Sequence, residues 1–465
     1  MTGPRPGPRG TELLLLLPAL AVAVGGYALG ELGVTGRAPT GLAGYAAMLA
    51  VPALLLHLVL RRFAPHADPL ILPVVVTLNG LGLAMIHRLD FARTAKGDDT
   101  LADRQVLWAA VSVAAALLVL VLLRDHRVLR RYRYTAMAAG VALLLLPMLP
   151  GLGATINGSR VWIRVGGISG QPGELAKLAL AVFFAAYLVE HRDNLALTGR
   201  RLLGMQLPRG RYLAPLLLVW GVSLVVMMTM RDLGSSLLLF GVFTAMLYVA
   251  TERLSWIVCG LALAGAQVAV AGTHFGYVRA RFDVWLHALD PAIFDRHPGG
   301  SGQLVRGQFG MADGGLLGTG WGAGRPDLVP YAESDFIYAS IGEELGLTGA
   351  AAVLVLYLVL CQRGLRAGLG VRDPFGTLLA AGLVFGIALQ CFIVVGGLTR
   401  LIPLTGLTLP FVAYGGTSLL VNWVIAALLL RISDAARRPA PPVSSPGSAA
   451  PVPPPRSIPT ATGTR

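Results

Sequence analysis

The sequence predicts an all-α polytopic membrane protein, and three observations carry that reading. The 465 residues are 55 % hydrophobic and only 13 % charged, far from the balance of a soluble domain. Mean hydropathy is +0.68. The apolar residues fall in long runs, and the charges collect in short stretches between them.

A membrane-crossing helix needs about 20 mostly apolar residues. Twelve runs qualify: 12–30, 42–60, 70–87, 105–123, 134–150, 174–190, 212–230, 234–250, 254–273, 337–361, 375–398 and 406–431. The first has no small-residue cleavage step into a soluble domain and reads as a retained helix. Two extra helices fill an N-terminal extension, 1–66. A transmembrane core occupies 67–433, with a large loop at 274–336. The tail 434–465 is rich in Pro, Ser and Ala and buries too little apolar surface to fold, so we expect a disordered cytoplasmic extension.

Positive charge sets the orientation. Arg61 and Arg62, the cluster Arg124 to Arg133, the loop with Arg192, Arg200, Arg201, Arg209 and Arg211, and the group Arg363, Arg366 and Arg372 alternate on one side. That side is expected to be cytoplasmic. Both termini then lie in the cytoplasm, while 151–173 and 274–336 face outward across the plasma membrane. The net charge of +14 is thereby absorbed by topology, and no nucleic-acid partner is expected. Cys259, Cys361 and Cys391 build neither a disulfide frame nor a metal cluster. The eight histidines show no HExxH spacing, and neither Lys96 nor Lys177 completes a phosphate-binding loop.

The chemistry-bearing residues concentrate on the outward side. Gln171-Pro172-Gly173-Glu174 opens a helix, with proline near its first position and a carboxylate in its first turn. Lys177 follows three residues later, inside an apolar segment. It either pairs with Glu174 or lines an anion-binding cavity. Arg231 and Asp232 form a tight turn, and Gly234, Ser235 and Ser236 after it let another backbone approach. The large loop carries Asp283, Asp290 and Asp295, any of which fits either a catalytic carboxylate or a solvated loop acid; Asp290-Pro291 also reads as a turn initiator. The run Gly314 to Gly324 fails the dinucleotide pattern, because Ala323 stands where a glycine is needed. It is either a flexible lid or a backbone hugging another segment. Ser334 is placed to cap the next span, with Asp335 in its first turn. Glu343 and Glu344 sit deeper in that span, where acids need partners or water. Pro403, Pro410 and Gly415-Gly416 break the last span, which is tolerated only against protein or a cavity.

Four motifs then agree in order and spacing: QPGELAKLAL after Trp162, RDLGSSLLL, GSGQ followed by GGLLGTGW and SDFIYASIGEELGL, and PLTGLTLPFVAYGGTSLL. On these the chain resembles the SEDS family of bacterial cell-wall proteins, over residues 70–432. The wording GGLTRLIPLTG is more similar to actinobacterial RodA members than to FtsW members. The resemblance implies a ten-helix SEDS-type core with the two N-terminal helices as an addition. It implies a peptidoglycan glycosyltransferase that polymerises lipid II on the outer face of the membrane, during elongation or division. It also implies a class B penicillin-binding protein as partner, within a larger wall-synthesis complex.

The family's essential aspartate precedes a glycine run, and Asp295, ahead of Gly300-Ser301-Gly302-Gln303, matches it best. The spacing there is one residue longer than the family's and lacks its tyrosine, so Asp290 is the reserve. Asp295 is expected to be the base that takes the acceptor hydroxyl proton, with inversion at the donor's anomeric carbon. Lys177, Arg160 and Arg231 are expected to stabilise the leaving pyrophosphate, with room for a divalent cation (Mg2+ or Mn2+). Glu174, Asp232, Gln303, Asp335, Glu343 and Glu344 complete the expected substrate-binding set. The alternative is a lipid II flippase without bond chemistry. A transporter places its essential charges near the bilayer midplane, whereas here the acids gather in an outer loop.

Overall fold

The computed structural model describes residues 8–156, 158–166, 168–196, 201–202, 205–206, 210–297 and 299–439. The Pro-rich tail beyond residue 439, and Arg200 and Arg209 of the cationic loop, lie outside them.

Helices α1 (Pro8–Thr35) and α2 (Leu42–Phe63) form the N-terminal pair. Next come α3 (Ile71–Ala95), α4 (Ala102–Leu122), the single turn α5 (Val128–Arg131) and α6 (Arg133–Leu145). A meander of three antiparallel strands follows, β1 (Gly153–Ile156), β2 (Ser159–Val165) and β3 (Ile168–Gly170), in which Ile163 faces Gly153 on one side and Gly170 on the other. Then come α7 (Pro172–Ala196), the short hairpin β4 (Arg201–Leu202) and β5 (Met205–Gln206), α8 (Gly210–Thr229), α9 (Leu233–Thr251) and α10 (Ser255–His274). The large loop is not open coil. It folds into α11 (Gly276–Leu286), α12 (Pro291–Phe294) and α13 (Gly302–Gly314). Helices α14 (Ile337–Gly370), α15 (Pro374–Leu398) and α16 (Gly416–Arg437) complete the bundle.

Ten of these helices are long and apolar enough to cross a membrane. One of the twelve expected spans is shorter than its apolar run. The run at 134–150 is the short α6 ending in a 3-10 turn, Leu146–Met148, where Pro147 cannot extend the helix. The run at 212–230 is α8, a 20-residue helix, Gly210–Thr229. The last span begins at Gly416 rather than 406, because residues 403–409 form no helix before it. Segment α3 is 89 % buried over its most apolar window and α10 only 11 %, so α3 lies at the centre and α10 at the rim.

Local signals explain the helix starts. Asp232 caps α9 by accepting from Ser235 N at 2.9 Å. Asp373 caps α15 ahead of Pro374, accepting from Gly376 N at 2.8 Å. Each satisfies amides that the first helical turn leaves unpaired. Asp90, reaching across from α3, does the same for Leu101 N and Ala102 N at 2.9 and 2.7 Å.

Helix α14 breaks at Gly346 (φ 68°, ψ −170°), and the break leaves backbone groups without helical partners. The glycine run supplies them. Thr319 N and Gly320 N donate to the carbonyls of Glu343 and Glu344 at 3.0 and 3.1 Å, and Leu347 N and Thr348 N donate to Gly315 O and Leu316 O at 2.9 and 3.1 Å. The run is therefore a backbone pressed onto a kinked helix, one of the two alternatives its composition left open. At the opposite end of the bundle the first core residues are stitched to the last helix. His66 N donates to Asp434 at 2.9 Å, Asp68 N to Ser433 Oγ at 2.8 Å, and Arg431 to the Phe63 carbonyl, while Arg437 pairs with Asp68.

Candidate active site

Two polar patches meet along the non-helical segment 403–409. The first lies at the start of α7. Lys177 Nζ is 2.9 Å from Glu174 and 3.5 Å from Gln390 Oε1 of α15; Gln390 Nε2 donates to the Thr408 carbonyl at 2.8 Å. These groups close one end of a cavity of about 50 Å3, whose walls include Leu238, Leu239, Leu383, Ile387 and Val421. The Glu174–Lys177 pair is present, and it lies on the wall of this mostly apolar cavity.

The second patch is built by Asp232, Arg281 and Asp335. Arg281, on α11, donates to the Leu404 carbonyl at 2.8 Å, and its charge faces Asp232 and Asp335. A Cβ on Gly406 would sit 3.5 Å from Asp335 Oδ2. Burial pushes the Asp335 carboxyl up to about 6, against the pull of Arg281 and a hydrogen bond from Ser334. Burial also works against the Arg281 charge, which Asp232 and Asp335 sustain, and it pushes the Tyr277 phenol up. Segment 404–408 thus touches Arg281 at one end and Gln390 at the other.

The remaining expected residues spread around this pair of patches. Arg231 (φ 62°) is exposed, with its guanidinium 5.8 Å from the Tyr277 ring. Arg160 is also exposed; its amide donates to Met230 O at 3.3 Å, which ties β2 to the end of α8. Asp290 caps α12 and accepts from Ala292 N at 2.9 Å. Asp295 closes the same turn. It is exposed, and its carboxylate has no hydrogen bond or ion pair among the described residues. Its neighbour Arg296 binds Asp283 at 3.3 Å and the Ala280 carbonyl at 3.2 Å, which fixes the Asp295 turn against α11, the helix of Arg281. Gln303 is half-buried in the first turn of α13.

Glu343 and Glu344 stand apart from both patches, with their oxygens bound to protein. Glu344 pairs with Arg88 at 2.7 Å and accepts from Gly322 N at 2.9 Å; Glu343 accepts from Arg325 N. Ser334 does not cap α14: Phe336 holds the cap position, and the Ser334 hydroxyl donates to Tyr331 O at 3.5 Å. Sequence reasoning missed Arg281, Gln390 and Thr408. Gln390 had a signal, a lone amide in an otherwise apolar span. Arg281 had none, being one of several arginines in the loop.

The fold and the site define a class: a polytopic helical membrane protein whose large loop and broken last span bring Arg281 and Gln390 onto one segment, with an apolar cavity beside Gln390 and Lys177. The chain belongs to the FtsW/RodA/SpoVE family of cell cycle proteins, whose profile matches residues 69–438. It is 48 % identical over 443 residues to the peptidoglycan glycosyltransferase RodA of Mycobacterium tuberculosis, covering 94 % of this chain and 93 % of that one. It is 33 % identical over 380 residues to the stage V sporulation protein E of Bacillus subtilis, covering 80 % and 98 %. Among solved structures, the fold matches a chain reported for the coordination of polymerization and crosslinking by a peptidoglycan synthase complex. That match has TM-score 0.63 and 24 % identity, over 80 % of this chain and 99 % of that one. The crystal structure of Thermus thermophilus RodA matches with TM-score 0.56 and 22 % identity, over 80 % and 98 %.

Proposed function

We propose that this protein extends glycan strands from lipid II, with Asp295 as the base. It is a peptidoglycan glycosyltransferase of cell-wall synthesis and a multi-pass membrane protein, as its relatives and the ten long apolar helices among the described residues indicate. In the proposed step, the acceptor GlcNAc 4-hydroxyl attacks the anomeric carbon of the donor MurNAc. The new C–O bond forms as the bond to the lipid pyrophosphate breaks, Asp295 takes the hydroxyl proton, and the pyrophosphate leaves with the electron pair. Attack opposite the leaving group inverts the anomeric centre. The observation that carries this reading is the contrast between two neighbouring acids: Asp290 is spent on capping α12, whereas the Asp295 carboxylate is unengaged among the described residues.

The leaving pyrophosphate needs fixed positive charge. Arg231 and Arg160 are exposed beside the Asp232 turn, Arg281 faces Asp232, and Lys177 lies at the start of α7. Asp232, Asp335, Glu174 and Gln303 fit the sugar hydroxyls and the pentapeptide amides, and the cavity behind Lys177 fits a segment of the lipid chain. Glu343 and Glu344 act from behind, by fixing the glycine run. Among the described residues no three His, Cys, Asp or Glu side chains converge on one point. A divalent cation in this scheme therefore arrives on the pyrophosphate rather than in a preformed cage, and no step is routed through it.

The arginine-rich loops support an orientation with both termini in the cytoplasm and the large loop outside. The family profile over 69–438 supports an N-terminal helix pair at 1–66 and a catalytic core from 67; α16 carries that core to Arg437, so the tail starts later than the expected 434. A class B penicillin-binding protein as partner is supported by the fold-level match to a synthase complex.

The test uses purified protein and labelled lipid II. Glycan chains that disappear in Asp295→Ala and persist in Asp290→Ala support the assignment. Polymer made by Asp295→Ala at the normal rate removes it, and lipid movement without any polymer removes the enzyme reading.

A further inference from the structure

Three glycines, Gly26, Gly30 and Gly33, share one face of α1, and Trp321 from the glycine run lies against them. A Cβ on Gly26 would meet the indole at 3.1 Å, and one on Gly30 would meet its Nε1 at 2.8 Å. A Cβ on Gly33 would run into the Trp321 carbonyl, and one on Gly322 (φ 85°) would sit 2.6 Å from the Gly30 carbonyl. Spacings of four and three residues put these glycines on one helix face, and a bare backbone face permits an approach that side chains forbid. The contact joins two parts of different standing. The family profile begins at residue 69, so α1 lies outside it and Trp321 inside.

The other side of the glycine run is fastened to the core by directional bonds. Gly322 N donates to Glu344, and Arg88 of α3 binds both Glu344 and the Gly324 carbonyl at 2.7 Å. Thr319 N and Gly320 N hold the carbonyls of Glu343 and Glu344. Those two residues belong to the first turns of α14, directly below the turn that presents Asp335 to Arg281. The Phe336 ring of that turn fits over Gly307 of α13, 2.8 Å from where a Cβ would be. A shift of Trp321 is therefore passed to the Asp335 turn through paired backbone and carboxylate groups.

We propose that Trp321 is a positioning residue for glycosyl transfer: seated on the α1 glycine face, it lets the N-terminal helix pair hold the glycine run and the Asp335 turn in their working arrangement. This rests on the function proposed above for the large loop. The wedge orders the site without touching substrate, so its loss lowers turnover more than apparent affinity.

The experiment uses the full chain, with kcat and KM for lipid II measured separately and hydrogen–deuterium exchange followed over 314–324. Trp321→Ala is expected to lower kcat about tenfold, with KM within about twofold, the scale on which small misplacements act. Exchange over the glycine run rises, and Trp321→Phe recovers most of both losses. Gly30→Val, made on the other partner, reproduces the loss. Combined with Trp321→Ala it adds little, as expected for two sides of one contact. Should Trp321→Ala not fold, as read from its unfolding midpoint, Gly30→Val and Trp321→Phe carry the same comparison. Unchanged turnover and exchange in the single variants, or single effects that multiply in the double, overturn the proposal. A wild-type chain that makes no polymer removes the proposed function instead, and exchange still reports on the wedge.

Discussion

Arg88 of α3 and Glu344 of α14 form an ion pair at 2.7 Å, with side chains 5 % and 0 % exposed. The pair joins the central helix to the kinked one, and the remaining Glu344 oxygen takes the Gly322 amide. Removing one partner strands the other. Arg88→Ala is expected to cost about 3–5 kcal/mol, the range for a broken buried pair. The double change Arg88→Met with Glu344→Gln costs less. Chemical or thermal unfolding in detergent measures both.

Asp335 gives a pH prediction whose sign is fixed by its surroundings. Its carboxyl titrates near 6 in the fold, against an ordinary 3.8. Between those values the folded protein holds more protons than the unfolded chain, so stability falls as pH rises through that window. Asp335→Asn removes this slope. If the ionised form is what partners Arg281 during the reaction, kcat/KM rises through an inflection near 6 in the natural chain and loses it in the variant. A pH profile with the same inflection in both would sink that role.

Glu174 and Lys177 are expected to separate stability from activity. Lys177→Ala leaves Glu174, 4 % exposed, without its cation and destabilises the protein by about 3 kcal/mol. Adding Glu174→Gln restores much of the stability. Polymerisation stays low in both, because the positive charge at the mouth of the cavity is gone. Recovery of polymerisation along with stability would show the pair to be structural only.

The two loop aspartates should part cleanly. Asp295→Asn is expected to lower polymerisation about 10²–10⁴-fold, the usual contribution of a general base. Asp290→Ala removes a helix cap and costs about 1 kcal/mol of local stability, read as faster amide exchange over 291–294 with little change in rate.

The divalent cation is checked by chelation. Polymerisation is expected to fall when EDTA is added and to return with Mg2+ or Mn2+. An unfolding midpoint that does not move under the same treatment fits an ion carried by the substrate.

What could be read from the sequence divides along physical lines. Signals that lie within one segment were legible: the apolar runs, Pro172 and Glu174 at a helix start, and the broken geometry around Pro403 and Pro410. Signals that need a distant partner were not. Glu343 and Glu344 announced a need for partners, but Arg88 lies 256 residues away in sequence from Glu344. The strands at 153–170 escaped because the glycines there read as loop. Trp321 showed no periodicity to betray the helix face it fits. Apolar length alone also overextended α6 and α16, where a proline and a non-helical stretch cut the helices short.

The stitching of residues 63–68 to α16 has a consequence for how the chain is made. Phe63, His66 and Asp68 leave the ribosome long before Arg431, Ser433, Asp434 and Arg437; His66 and Asp434 are 368 residues apart. Arg9, Glu12 and His57 can pair with one another at once, but the groups at 63–68 wait for their partners until α16 has been made. A chain stalled or clipped before Arg431 would thus be inserted yet unlatched, and quality-control proteases would find it at that seam first.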